Sequence, residues 1–274
     1  MTEPDTSFRD FEHQGWSAPD VVTGYHDHLS PLTTQAVEAL LDAAGVRHGA
    51  QVLDVATGPG YAAAAAVERG AEAVGVDFSD TQLALARRQY PTIEFREGDA
   101  GALPFPDGAF DVVISNFGMP HFPDPDTFLR EAFRVLRSGG RVAFSAWAPA
   151  QECIGFGMIY SAVQSHGRMD VPLPPGPNFF LFGDPAQCER SLEVAGFRSV
   201  TVTKVPLVWR VASPDGPFEV IMKGTVRAAA LLRAQTPEAF IAIRDAVRQA
   251  VGAYARNGAF ELMMPAVVAT GQKP

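Results

Sequence analysis

The run Val52-Leu53-Asp54-Val55-Ala56-Thr57-Gly58-Pro59-Gly60-Tyr61 joins an acid to a glycine turn, and this pairing is the strongest chemical signal in the chain. A strand that ends in Gly-Pro-Gly lets its backbone come close to a ligand, beside the positive N-terminus of the helix that follows. Taken alone, Gly58-Pro59-Gly60-Tyr61-Ala62-Ala63 with Asp77 further on also fits the glycine pattern of a nicotinamide-binding unit. Asp54 separates the two readings. A carboxylate four residues before the first glycine would repel a pyrophosphate and suits a ligand with a cationic group. Tyr25-His26-Asp27-His28 has metal-capable side chains, but two histidines two apart on a strand face opposite sides and lack a matched third ligand, so no metal is expected.

Such residues need a sheet to hold them, and the chain alternates accordingly. Strands are expected at Gln51–Ala56, Ala73–Asp77, Ile93–Glu97, Asp111–Asn116, Arg141–Trp147, Phe197–Leu207 and Phe260–Thr270. Helical spacing runs from Leu32 to Ala44 before Gly45, and an alanine-rich helix covers Tyr61–Arg69. Ser79 with Gln82 forms a capping box for a helix that ends before Pro91, and a helix between Asp126 and Arg137 is expected to stop at Gly139-Gly140. A further helix opens at Asp184-Pro185 and ends at Gly196. Apolar strands separated by helices bury both faces, which means a mostly parallel, doubly wound α/β sheet with right-handed crossovers.

Length and composition bound the rest. The 274 residues are 47% hydrophobic and 19% charged, as in a globular protein, and the net charge of −9 argues against a nucleic-acid partner held by phosphate neutralisation. Cys153 and Cys188 are too few for a disulfide framework or a thiolate metal site, which points to a reducing compartment. No apolar run is long enough to span a bilayer and the first thirty residues lack the pattern of a signal peptide, so a cytoplasmic protein is expected. The beat of strand and helix fails over residues 149–183 and 209–257, which are read as cap insertions in one domain covering 1–274, with 1–34 as an N-terminal arm or lid. The arm's first thirty residues carry a net of −5 and 209–257 a net of +3, so the acidic arm is expected to lean on a basic cap.

Asp54, the glycine turn, Asp77 ending the second strand and Glu97-Gly98-Asp99-Ala100 after the third together resemble the class I S-adenosylmethionine-dependent methyltransferases. Leu103-Pro104-Phe105-Pro106-Asp107-Gly108-Ala109-Phe110-Asp111-Val112-Val113 and Phe128-Leu129-Arg130-Glu131-Ala132-Phe133-Arg134-Val135-Leu136-Arg137-Ser138-Gly139-Gly140 extend the likeness to the ubiquinone and menaquinone subfamily, which commonly has Pro where Ser138 stands. The resemblance covers about residues 35–148. It implies a Rossmann-like, seven-stranded methyltransferase sheet whose last strand is antiparallel, and S-adenosyl-L-methionine as cofactor with S-adenosyl-L-homocysteine as product. The backbone of Ala56, Thr57, Gly58, Pro59 and Gly60 would lie under the methionine part, with Asp54 near its ammonium. Asp77 would accept both ribose hydroxyls, Phe78 would flank the adenine, and Asp99 with Ala100 would bind it. Gln82 joins this cofactor set, and Asn116 with Phe117 would line the methionine end.

Methyl transfer is an in-line displacement, so the protein aligns, desolvates and where necessary deprotonates the acceptor. His121, in Asn116-Phe117-Gly118-Met119-Pro120-His121, stands where the fourth strand meets the crevice and is the candidate catalytic base. The alternative is a histidine that packs or hydrogen-bonds in that loop. Tyr25 or Trp16 would close over the cofactor, or else serve as packing aromatics. Phe179, Phe180 and Phe182 would line an apolar acceptor pocket, or form a small core of their own. The acceptor is expected to be a small, partly apolar molecule methylated on N, O or C. A nicotinamide-dependent oxidoreductase and a non-catalytic cofactor-binding module stand as alternatives, and no specific residue speaks for a homo-oligomer.

Overall fold

Apolar, β-branched runs become strands in the computed structural model, which describes residues 7–274. Among the described residues these are β1 (Gln51–Val55), β2 (Glu72–Asp77), β3 (Glu94–Glu97), β4 (Phe110–Asn116), β5 (Leu136–Trp147), β6 (Arg198–Val205), β7 (Val208–Val211), β8 (Ala255–Arg256), β9 (Ala259–Met263) and β10 (Ala266–Gln272). Seven of them form one sheet in the order β3-β2-β1-β4-β5-β10-β6. β1 to β5 run parallel, and β10 pairs antiparallel with both β5 and β6. The expected seven-stranded, doubly wound sheet with an antiparallel last strand is therefore present.

By its contacts the chain divides into two units, one made of Thr33–Ala148, Pro177–Val205 and Ala266–Pro274. This unit contains the whole seven-stranded sheet. One helical layer packs Leu40, Leu41, Ala62 and Ala66 onto Val52, Ile114 and Val268 in a dry core. Ala63, Leu83 and Ala86 close around Phe95 in a second cluster. Alanines at the sheet-facing positions of Tyr61–Glu68 bring that helix close to β1 and β2, which sets the height of the turn before it. Ser79 caps the helix Asp80–Gln89 by accepting from the Gln82 N–H at 3.2 Å, and Asp184 caps Pro185–Val194, as the sequence predicts.

Four local expectations are corrected. The helix before β5 ends at Val135, and Gly139-Gly140 lie inside the strand. Its end is closed by Lys273, whose Nζ donates to the carbonyls of Phe133 and Leu136 at 2.7 Å each, a partner far away in sequence. Leu32–Ala44 is a broken path, with a helix at Ser30–Thr33, a 3-10 turn at Thr34–Ala36 and a helix at Val37–Ala44 that ends at left-handed Gly45. Tyr25–Leu29 forms a π-helix, so the strand geometry used for His26 and His28 does not apply. Phe260–Thr270 is two strands, parted at Pro265, which has no N–H to give to a ladder.

The second unit comprises the chain up to Leu32, Pro149–Gly176 and Pro206–Pro265. Its strands β7, β9 and β8 form a small antiparallel sheet, of which β7 and β8 were not foreseen. The helices Ile154–His166 and Pro237–Gly252 pack together, the latter capped by Thr236, which accepts from the Ala239 N–H at 3.2 Å. Pro19–Gly24 and Tyr25–Leu29 pack on Gly216–Gly224, where any Cβ on Gly24 would lie 2.3 Å from the Lys223 carbonyl oxygen. Arg227 of the cap also sits over the Phe8 ring of the arm at 5.4 Å. Residues 7–34 thus contact 209–257 through close backbone packing and a cation over a ring; of the acids counted in the first thirty residues, Glu3 and Asp5 lie outside the described residues. Among the described residues, no helix is long and apolar enough to cross a membrane.

Candidate functional site

The carboxyl ends of β1, β2 and β4 carry most of the residues singled out from the sequence, and their backbone there is unusual. Ala56, Gly58 and Gly60 take left-handed φ values of 55, 52 and 87°. The turn is tied down by the Thr57 N–H to Val76 carbonyl bond and the Gly60 N–H to Thr57 carbonyl bond, both 2.9 Å. A Cβ on Gly60 would come within 2.8 Å of the Phe95 ring and 3.2 Å of Tyr90, so that position excludes every other residue. On Gly58 a Cβ would meet only Gln82 Oε1, at 3.9 Å, so the turn is open on that side to an approaching ligand.

Two carboxylates flank the turn. Asp54 is 1% exposed, and its Oδ2 accepts from Thr57 Oγ1 at 2.7 Å and from the Ala63 N–H at 3.0 Å. The second bond caps the helix Tyr61–Glu68, whose own N-cap, Gly60, has no side chain to offer. Capping occupies one oxygen only: Oδ1 is buried without a hydrogen-bond partner. Burial pushes the Asp54 carboxyl up to about 7, against the two hydrogen bonds and with added repulsion from Asp77. Asp77 accepts from the Gly58 N–H at 2.9 Å through Oδ2 and from the Ser79 N–H at 3.0 Å through Oδ1. Burial raises its pKa, opposed by those N–H groups and by the nearby charge of His121.

Around these acids, Gln82 is buried with its Oε1 unpartnered, while Phe78, Asp99 and Ala100 are half-buried after β2 and β3. Asp99 shapes its own turn, Oδ1 accepting from the Gly101 N–H at 2.7 Å and its carbonyl from the Ala102 N–H at 3.0 Å. Pro59 is buried and its carbonyl accepts from Gln89 Nε2 at 3.3 Å.

The other side of the site, after β4 and β5, is aromatic. Phe117 is buried, takes φ 58° and stacks on Trp147 at 4.2 Å with an interplanar angle of 29°. Asn116 spends its side chain on the protein, with Nδ2 donating to the Thr33 carbonyl at 3.2 Å and Oδ1 accepting from Ser145 Oγ at 2.7 Å. His121 ends a 3-10 turn at Met119–His121, half-buried, its ring edge-on to Phe179 at 6.0 Å. Phe179 meets Phe180 at 5.1 Å, and Phe182 packs on Phe144 at 5.4 Å. These phenylalanines therefore belong with the sheet. Tyr25 lies in the second unit, edge-on to Trp16 at 5.7 Å.

Ser145 and Trp147 were missed from the sequence. Their only signal was a serine within the apolar run Val142-Ala143-Phe144-Ser145-Ala146-Trp147, which by itself reads as plain strand. Among the described residues, no group of three or more His, Cys, Asp and Glu is placed to hold a metal ion. The orphaned Asp54 oxygen, the orphaned Gln82 oxygen and the open turn between them fit a polar ligand with cationic and hydrogen-bond-donor groups.

Comparisons with known proteins agree with this geometry. Residues 53–144 match the family model described as a methyltransferase domain. A demethylmenaquinone methyltransferase from Thermus thermophilus is 43% identical over 132 residues, covering 46% of this chain and 58% of that protein. One from Beutenbergia cavernae is 42% identical over 123 residues, covering 43% of this chain and 51% of that protein, so the chain spans little more than half the length of these relatives. Among solved structures, phosphoethanolamine N-methyltransferase 2 of Haemonchus contortus superposes with a TM-score of 0.60 at 19% identity, over 98% of this chain and 60% of that one, and shares the fold. The sheet order and the glycine turn between two acids thus stand in a chain whose residues 53–144 match a methyltransferase domain, and which over that part is similar to demethylmenaquinone methyltransferases.

Proposed function

We propose that the protein binds S-adenosyl-L-methionine at the carboxyl ends of β1, β2 and β4 and transfers its methyl group to a small, partly apolar acceptor. The observation that carries this reading is the Asp54 carboxylate, buried beside a strained turn with one oxygen lacking any hydrogen-bond partner. A buried, unpaired acceptor is costly and is relieved by a cationic donor. Asp54 Oδ1 supplies that acceptor for the ammonium, and the open backbone of Gly58 seats the methionine part. Asp77 accepts from the backbone N–H groups of Gly58, Ser79 and Phe78, and its remaining acceptor capacity is directed to the ribose hydroxyls. Phe78 flanks the adenine, Asp99 and Ala100 meet its edge, and Gln82 Oε1 offers one more acceptor. When bound, the cofactor supplies an electrophilic sulfonium methyl.

On the acceptor side the chain offers Phe117, Trp147, His121 and Phe179, apolar surface with one titratable group. His121 takes a proton from acceptors that must lose one, and the rings exclude water and orient a flat or apolar body. The Thermus thermophilus relative is named for demethylmenaquinone, so isoprenoid naphthoquinones are the first acceptors to test. Calorimetric titration with S-adenosylmethionine and, separately, with nicotinamide dinucleotides tests the cofactor. Binding of the dinucleotide alone would overturn the reading. Incubation with methyl-labelled cofactor and a panel of quinone, phenol and amine acceptors then identifies the product. A protein that binds the cofactor yet labels nothing in the panel would point to the non-catalytic alternative.

A further inference from the structure

Ser145 stands opposite Asn116 in the register of the parallel strands β4 and β5, so their side chains share one face of the sheet. Its hydroxyl is buried and engaged both as acceptor and as donor. It accepts from the Phe117 N–H at 2.9 Å and donates to Asn116 Oδ1 at 2.7 Å, while Asn116 Nδ2 reaches the Thr33 carbonyl at 3.2 Å. The residue held by this relay is the unusual one. A bulky side chain seldom occupies the left-handed region, yet Phe117 sits there at φ 58°. The next residue, Gly118, presses on the first residue of the glycine turn: a Cβ there would fall 3.0 Å from Ala56 Cβ and 2.4 Å from Ser115 Oγ. Ala56 is left-handed too, at φ 55°. Two strained residues on neighbouring strand ends are thus interlocked, and one of them is pinned by a serine two strands away from β1.

We infer that Ser145 is a positioning residue for cofactor binding, acting through Phe117 and Gly118 on the turn at Ala56. This rests on the proposed methyltransferase reading. Without the hydroxyl, the Phe117 N–H and Asn116 Oδ1 both lose a partner, the loop leaves its left-handed conformation, and Gly118 no longer buttresses Ala56. Sequence position hides the effect, because the Ser145 hydroxyl bonds to Asn116 and Phe117 and to none of the residues proposed above to hold the cofactor.

The test compares variants of the full chain by calorimetric titration with S-adenosylhomocysteine and by denaturant unfolding. Ser145→Ala should weaken affinity about tenfold or more, and Ser145→Thr, which keeps the hydroxyl, should recover most of it. Thr270→Val serves as the control. It removes another buried hydrogen bond of the same sheet, from Thr270 Oγ1 to the Val142 carbonyl at 2.7 Å, and should lower stability while leaving affinity within about twofold. Equal affinity for Ser145→Ala and the unaltered protein would overturn the inference, as would loss of affinity in Thr270→Val to the same degree. If Ser145→Ala does not fold, Ser145→Cys, isosteric with a weaker donor and acceptor, is read by the same criteria. Failure of the unaltered protein to bind S-adenosylhomocysteine would instead overturn the methyltransferase reading itself.

Discussion

The two sides of the site solve different problems with different materials. On the β1–β2 side, acids and glycines are held by backbone hydrogen bonds, two carboxylates are buried, and the Gly58 N–H bonds directly to Asp77. On the β4–β5 side, Phe117, Trp147, His121 and Phe179 meet by ring contacts, with a single polar relay through Ser145 behind them. A wall of fixed acceptors is selective for one arrangement of donors and charge, because any other ligand leaves buried groups unpaired. A wall of rings accepts many bodies of similar size, since burial of apolar area is not directional. On the proposed reading the acidic side would hold the cofactor and the aromatic side would choose the acceptor.

Substitutions on each side should separate these roles. The largest effect is expected from Asp77→Ala, which removes both acceptors at the end of β2: affinity for S-adenosylmethionine should fall at least about 100-fold by calorimetry. Unchanged binding would sink the division at its root. Next comes His121→Asn, which should lower turnover of a proton-losing acceptor by about 100-fold while cofactor affinity changes only a few-fold. Equal loss of binding and turnover would make His121 part of the cofactor side, through its charge on Asp77.

Asp54 gives a pH test. In the folded, unliganded protein its carboxyl titrates near 7, against an ordinary 3.8, so the folded chain holds that proton more tightly than the unfolded one. The group's contribution to stability is complete below the ordinary value and is lost as pH rises through about 7. A cationic partner at Oδ1 favours the carboxylate, so cofactor binding should release a proton and tighten as pH rises across that window. Asp54→Asn should abolish the rise, which titration in buffers of different ionisation enthalpy would reveal. The smallest effect on the cofactor is expected from Trp147→Leu: affinity within about twofold, a stability loss of about 2–3 kcal/mol in denaturant, and a raised KM for the acceptor. A large loss of cofactor affinity there would erase the distinction between the two sides.

Legibility in the sequence follows the same division. Asp54, the glycine turn and Asp77 lie within one βαβ unit, where chain proximity brings acid, turn and helix start together. The capping box at Ser79 and the Asp184-Pro185 start were read for the same reason, since a cap bonds to its own next turn. Errors came where a distant partner decided the outcome. Lys273 ends the helix before β5 in place of Gly139-Gly140, and Pro265 parts what reads as one strand between two different sheets. The partners of Asn116, Thr33 through Nδ2 and Ser145 through Oδ1, are likewise distant in sequence and were not legible in it.

The sequence by itself determined the alternation of strand and helix, the mostly parallel sheet, and the placing of Asp54 and Asp77 at strand ends, while the antiparallel last strand came from the family resemblance. The first three depend on the period of apolar residues or on side chains acting within a few residues of themselves. Only the tertiary structure decided that Asp54 caps a helix with one oxygen and leaves the other unpaired, that Phe179 joins His121, and that Ser145 pins Phe117. The relay depends on strand register and on contacts across 28 residues or more, and β4 and β5 had first to pair for it to exist.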